Sequence, residues 1–188
     1  MPHMNEPKQY LTQFPALTTG RLILGELVEG DAAGLVNLRS DVRVNQYLNR
    51  PKSMTNEEAA AFIRKINDGL KKGWYYWVIS LTGYPGLIGT ICLWNFNEEN
   101  ESAEVGYELS PDFQGKGLMR EALSKVISFG FDTAGFKQII AYTHSGNARS
   151  KSLLEKSGFI RAQSLEKELL KKEANRKDIV YSLKPSSI

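Results

Sequence analysis

Residues 102–133, SAEVGYELSPDFQGKGLMREALSKVISFGFDT, run from a β-patterned segment through a Pro-Asp turn and two glycines one residue apart into a helix-forming stretch. The helix is expected from about Gly117 to Thr133, with Leu118, Ala122, Val126 and Phe129 on one face. A helix start leaves backbone N–H groups unpaired and carries about half a positive charge, so glycines placed there let anionic oxygens reach bare amides. Phosphate is the ligand class that this arrangement suits, although Gly115 and Gly117 would equally serve a tight turn. Two familiar phosphate loops are excluded. GKGLM lacks the spacing and hydroxyl of a P-loop, and the third glycine of a dinucleotide fingerprint is missing.

The remaining chain alternates between the two periodicities. RLILGELV, Arg21 to Val28, reads as a first strand, followed by a short helix over Asp31 to Ser40. MTNEEAAAFIRKINDGLKKG opens with Thr55 or Asn56 as a cap and closes on Lys71, Lys72 and Gly73. Its buried stripe is Ala59, Phe62, Ile63, Ile66 and Leu70. Trp74 to Leu81 and Leu87 to Phe96 form a hairpin about TGYPG, and Ser102 to Leu109 extends it into an antiparallel meander. A strand is expected at Gln138 to Thr143 and a helix from about Ala148 to Ser157. FIRAQSLEKEL and DIVYSL read as a closing strand pair about the turn LKKEANRK.

With 188 residues, 41% of them apolar, the chain can bury one sizeable core and fits one domain. The expected boundaries are an extension over 1–17, a domain over 18–184 and a tail over 185–188. A net charge of +3, from 24 basic and 21 acidic residues, falls short of a nucleic-acid-binding footprint. The one cysteine, Cys92, precludes an internal disulfide or a multi-cysteine metal site and is expected in the core. No stretch approaches the roughly 20 apolar residues of a membrane span, and the first twenty residues do not resemble a secretory signal. A soluble, cytoplasmic protein with no metal is expected.

The order strand, glycine loop, helix, strand, NARS, helix, EKSGF resembles the GNAT superfamily of acyl-CoA-dependent N-acetyltransferases. The family signature of Gln or Arg, two residues, Gly, one residue, then Gly or Ala is carried by Gln114, Gly115, Lys116, Gly117, Leu118 and Met119, with Met119 departing from the usual small last residue. The resemblance is nearest to the RimJ/RimL type, which acetylates ribosomal-protein N-termini. It rests on Thr19, Arg21, Leu22 and Leu24, on GYELSPDFQGKGLM, and on Asn147, Ser150, Leu153, Leu154, Glu155, Lys156, Gly158 and Phe159.

That resemblance implies an α+β, three-layer α/β/α fold. Its sheet would be mixed and mostly antiparallel, with about seven strands, one splayed pair and about four flanking helices. It also implies acetyl-CoA as co-substrate, with the pyrophosphate over the amides of Gly115 to Met119, Gln114 shaping the loop entry and the Leu109 backbone on the pantetheine arm. Lys116 either adds charge there or points into water. Asn147 would contact the cofactor arm, cap the following helix, or do both, and Ser150 lies one helical turn later. Met119 either lines the groove or fills the core.

Transfer from a thioester requires alignment, a proton acceptor and oxyanion stabilisation, without a covalent enzyme intermediate. Glu104 and Glu108 should share a strand face if no bulge intervenes, and Glu104 is the preferred general base. The family's thiolate-protonating tyrosine falls at Leu154, leaving Ser110, Tyr142, His144 and Ser150 as substitutes by residue type. The acceptor groove would be walled by the first two helices and RVNQYLNRPKSM, with Tyr47, Leu48 and Arg50. Trp74, Tyr75, Tyr76, Trp77 and Trp94 are expected mainly to pack the sheet. The expected reaction is acetyl transfer to a primary amine, foremost a protein or peptide N-terminal α-amine of ribosomal or other origin. A small-amine acceptor (antibiotic or polyamine) and a non-catalytic CoA-binding module are the alternatives, with either monomer or homodimer compatible.

Overall fold

A computed structural model describes residues 13–99, 101–172 and 177–185. Its strands are β1 (Leu17–Thr18), β2 (Leu22–Glu26), β3 (Tyr75–Leu81), β4 (Tyr84–Asn97), β5 (Ser102–Leu109), β6 (Gln138–His144), β7 (Ile160–Arg161) and β8 (Asp178–Leu183). The helices are α1 (Ala32–Ser40), α2 (Asn56–Gly69), α3 (Leu118–Ser128), α4 (Ala148–Lys156) and α5 (Gln163–Lys172). The eight strands form one sheet in the order β1-β2-β3-β4-β5-β6-β8-β7. Every neighbour pairing is antiparallel except β5 with β6.

Helices cover both faces, giving the expected three layers. On one face α3 and α4 bring Ala122, Leu123, Val126 and Leu154 against Leu22, Trp77, Ile91 and Ile139 of the sheet. On the other, Leu35 of α1 and Ala59 and Ile63 of α2 pack on Tyr76 and Val78. α2 starts as a reciprocal capping box: Glu58 N donates to Thr55 Oγ1 (3.1 Å), and Thr55 N donates to Glu58 Oε2 (2.7 Å). Cys92 packs beside this second cluster, where burial pushes its thiol up to about 12, so it stays protonated and unreactive at neutral pH.

Several boundaries differ from the sequence reading. The hairpin closes at residues 82–83, with Gly83 at φ 79°, so β4 begins at Tyr84 and the expected five-residue turn is mostly strand. α3 stops at Ser128 and continues as a π-helical turn over Phe129–Thr133. The expected closing strand pair is corrected: only Ile160 and Arg161 pair with β8, and Gln163–Lys172 is a helix. Glu166 explains the switch. Its backbone N–H bonds Ala162 O (3.1 Å), while its carboxylate accepts from Arg161 Nε (2.8 Å) and Val180 N (3.0 Å). A side chain thereby occupies the β8 amide that a longer strand would have paired. The expected turn partly lies at residues 173–176, outside the described residues. The added edge strand β1 and α5 raise the totals among the described residues to eight strands and five helices.

Candidate active site

β5 and β6 pair only at Ser102 with Gln138, Ala103 with Ile139 and Glu104 with Ile140. Beyond Glu104 they part. Val105 to Leu109 remain bonded to β4, while Ala141 to His144 keep only their pairing with β8, which Ile139 and Ile140 also make. The parted edges leave a cleft that runs along β5 towards Leu109. A short 3₁₀ turn, Pro111–Phe113, then delivers the chain to Gly115 and the start of α3.

Gly115 and Gly117 adopt φ of 76° and 75°, the left-handed region where a side chain would be strained. Gly117 is the N-cap of α3, and among the described residues no side chain accepts from the amides of Leu118, Met119 or Arg120. The loop is held from three sides. Gln114 Nε2 donates back to Leu109 O (2.9 Å), Arg149 Nη1 of α4 donates to Gln114 Oε1 (2.7 Å), and Arg21 Nη1 donates to Lys116 O (3.0 Å). Arg21 also pairs with Glu121 in the first turn of α3 (2.6 Å), and Thr19 Oγ1 donates to the same carboxylate (2.5 Å). The TxRL segment at the chain's first strand therefore fixes the orientation of a loop almost a hundred residues later.

Leu118 and Met119 are buried in the core. Lys116 is exposed, with its ammonium 5.4 Å from the centre of the Phe113 ring. Asn147 caps α4 by accepting from Ser150 N (3.1 Å), and its side-chain amide donates to no described residue. Ser150 Oγ lies 2.8 Å from Tyr107 Oη, a contact that joins α4 to the open limb of β5. Burial pushes the Tyr107 phenol up to about 12 against the opposing effect of the Ser150 hydrogen bond, so it stays protonated at neutral pH. Leu154 is fully buried.

Glu104 and Glu108 occupy the opposite sheet face from Tyr107, with unbroken register through Trp94 and Thr90. They share that face as expected, yet their surroundings differ. Glu104 stands where the strands part and accepts from Asn95 Nδ2 (2.5 Å). Asn95 has φ 50° beside the register shift in β4, so a bulge aims its amide at the carboxylate.

Glu108 sits between two guanidiniums, with Arg39 Nη2 at 2.9 Å and Arg50 Nη2 at 2.6 Å. Burial works to raise its pKa, but the hydrogen bonds and charges of Arg50 and Arg39 outweigh it and hold the carboxyl below the usual range. Arg39 also donates to Tyr76 Oη (3.1 Å), which in turn donates to Thr90 Oγ1 (3.0 Å), and its guanidinium lies 4.0 Å from the centre of the Phe62 ring. Asn45, fully buried, accepts from Arg50 Nε (2.7 Å) and donates to Arg39 O (2.5 Å). The loop carrying these residues also reaches the other limb, where Tyr47 stacks on His144 of β6 at 5.4 Å.

The structure thus brings Leu109, Gln114 to Met119, Asn147 and Ser150 together beside the open edge of β5, with the Leu109, Leu118 and Met119 side chains in the core. Glu104 and Glu108 stand on the far face of β5. Of the aromatic residues assigned mainly to sheet packing, Tyr75, Tyr76 and Trp77 are buried, whereas Trp94 is 46% exposed opposite Glu104. Sequence reasoning missed Tyr107, Asn95 and Arg39. Only the alternation of β5, which sets odd positions against α4, carried a signal for the first of these.

The family described as Acetyltransferase (GNAT) domain matches residues 21–160. The uncharacterized N-acetyltransferase YoaA of Bacillus subtilis is 33% identical over 147 residues, covering 78% of this chain and 83% of its own. The spermidine N(1)-acetyltransferase of Vibrio cholerae is 24% identical over 79% of this chain and 84% of its own. A structure of RimL, a ribosomal alpha-N-protein acetyltransferase in complex with coenzyme A, superposes with a TM-score of 0.76 at 16% identity, covering 90% of this chain and 98% of that one. The overall fold is the one shared with that acetyltransferase structure. The chain belongs to the GNAT family of N-acetyltransferases.

Proposed function

We propose that the protein transfers an acetyl group from acetyl-CoA directly to a primary amine, an α-amine at a protein or peptide N-terminus. The observation that carries this is the uncapped start of α3, with Gly115 and Gly117 at positive φ, opening onto the unpaired edge of β5. The pyrophosphate sits over the amides of Gly115 to Met119, and the pantetheine arm runs along Val105 to Leu109 with the Leu109 backbone and the Asn147 amide as partners. The amine nitrogen attacks the thioester carbon, the carbon–sulfur bond breaks, and the nitrogen's proton passes to Glu104 directly or through water. The departing thiolate takes a proton from Ser150, resupplied by Tyr107 across their 2.8 Å contact, and Tyr107 regains a proton from water as Glu104 releases the amine's proton to it. In this reading Glu108, ion-paired on both oxygens, is a positioning residue.

An α-amine with a pKa of about 7.7–8.0 is roughly a tenth neutral at pH 7, whereas a lysine near 10.4 is neutral in well under about a thousandth of molecules. A site with one half-buried carboxylate as base therefore suits α-amines. The RimL likeness in fold agrees with that class, and the spermidine-acetylating relative supports a polyamine as second reading. The test mixes purified protein and acetyl-CoA with N-terminal peptides, polyamines and aminoglycosides and follows thiol release. The highest kcat/KM is expected on a peptide. Turnover confined to polyamines or aminoglycosides overturns the acceptor assignment, and a raised melting temperature with acetyl-CoA but no turnover on any amine overturns catalysis itself.

A further inference from the structure

The loop over residues 41–54 is bound to both limbs of the parted sheet, through Arg50 to Glu108 on β5 and through Tyr47 to His144 on β6. It therefore stands across the mouth of the cleft on the face that α1 and α2 cover, where an acceptor would enter. Two guanidiniums there share a single carboxylate. Asp41 is taken by Arg43 (2.6 Å), which also feels the charge of Asp112, and Lys52 Nζ is held by the carbonyls of Asn45 (3.0 Å) and Leu48 (3.3 Å). Arg39, Arg43, Arg50 and Lys52 are balanced by Asp41, Glu108, Asp112 and Glu104, the proposed base on the same sheet face, so what the entrance offers an anion is a local donor rather than a net charge.

Arg50 is the member with a donor to spare. Its side chain is 21% exposed, its Nε and Nη2 are committed to Asn45 and Glu108, and its Nη1 donates to no described residue. Because both committed bonds fix the plane of the guanidinium, the remaining donor is pre-oriented and loses little freedom when an anion arrives. From this we infer that Arg50 selects acceptors bearing a carboxylate close to the reacting amine, such as peptides with aspartate or glutamate in the first residues after the N-terminus. A polyamine brings no anion to that donor, and its additional ammonium groups would meet a guanidinium there instead. This inference rests on the amine-acetylating function proposed above.

The experiment compares kcat/KM for matched peptides with aspartate or asparagine at positions two and three, and for spermidine, in the unaltered protein and in Arg50→Gln and Arg50→Lys. The aspartate peptide is expected to be preferred by about tenfold or more, the ordinary worth of one charge-assisted hydrogen bond. The preference should fall towards unity in Arg50→Gln, recover in part in Arg50→Lys, and leave the KM for acetyl-CoA unmoved. Should Arg50→Gln not fold, salt serves instead. In the unaltered protein the preference should shrink between about 0.05 and 0.5 M salt as the Debye length shortens. Equal rates on aspartate and asparagine peptides, an undiminished preference in Arg50→Gln, or spermidine as the best acceptor overturns the inference while acetylation itself stands. Absence of turnover on every amine overturns both.

Discussion

Replacing Glu108 by glutamine removes the one carboxylate between Arg39 and Arg50. Loss of one partner from a buried ion pair costs about 3–5 kcal/mol, because the charge left behind is uncompensated. Here the side chains of Arg39 and Arg50 are 13% and 21% exposed against 11% for Glu108, so water relieves part of that charge. Glutamine also keeps one acceptor oxygen, which brings the expected loss to about 2–3 kcal/mol. For a domain of this length each kcal/mol moves the midpoint by about 2–4 °C, so Glu108→Gln should melt about 4–12 °C below the unaltered protein at pH 7. The pH dependence follows from the depressed carboxyl. A group whose folded pKa lies below its unfolded value contributes stability that is complete above the unfolded value, about 4.3, and is lost as pH falls through the folded one. Scanning calorimetry of the two proteins should therefore converge as pH is lowered from about 7 towards 3. A midpoint difference under about 2 °C at neutral pH, or one that does not narrow in acid, refutes the reasoning.

Gly117→Val places a β-branched residue at φ 75°, a strain of about 1–3 kcal/mol, and should weaken coenzyme A binding by more than tenfold in calorimetric titration; unchanged affinity contradicts the phosphate assignment. Glu104→Gln should lower kcat by roughly 10²-fold or more with the KM for acetyl-CoA little changed, as measured by thiol release; an unchanged rate removes Glu104 as base. Tyr107→Phe should lower kcat more than the acetyl-CoA KM, and a poorly basic leaving thiol on the acyl donor should restore part of the loss; a change in KM alone would make Tyr107 structural.

The glycine loop was legible because its chemistry is local: a strand, two glycines and a helix start lie within thirty residues, and the backbone alone determines what they bind. The buried faces of α2 and α3 were legible for a related reason, since helical spacing marks Ala59 and Ile63 on the one and Leu118, Ala122 and Val126 on the other. What failed was of two kinds. The segment 163–172 begins beside a true strand, Ile160–Arg161, and the strand reading was carried through residues whose Leu, Glu and Lys content favours helix. The contacts that distinguish Glu108 from Glu104 were out of reach altogether. They depend on Arg39 and Arg50, 69 and 58 residues away, meeting one carboxylate, and no periodicity encodes that. Tyr107 with Ser150, 43 residues apart, is the same case.

The central claim is that bare amides at the start of α3 hold a pyrophosphate-bearing acyl carrier against the open edge of β5. Titration of isotope-labelled protein with coenzyme A, read as amide shifts by nuclear magnetic resonance, tests it most directly. The largest saturable shifts are expected at Gly115 to Met119 and along Val105 to Leu109, with β2 and α2 little moved. Saturable binding that leaves Gly115 to Met119 unshifted, or no binding at all, would contradict it.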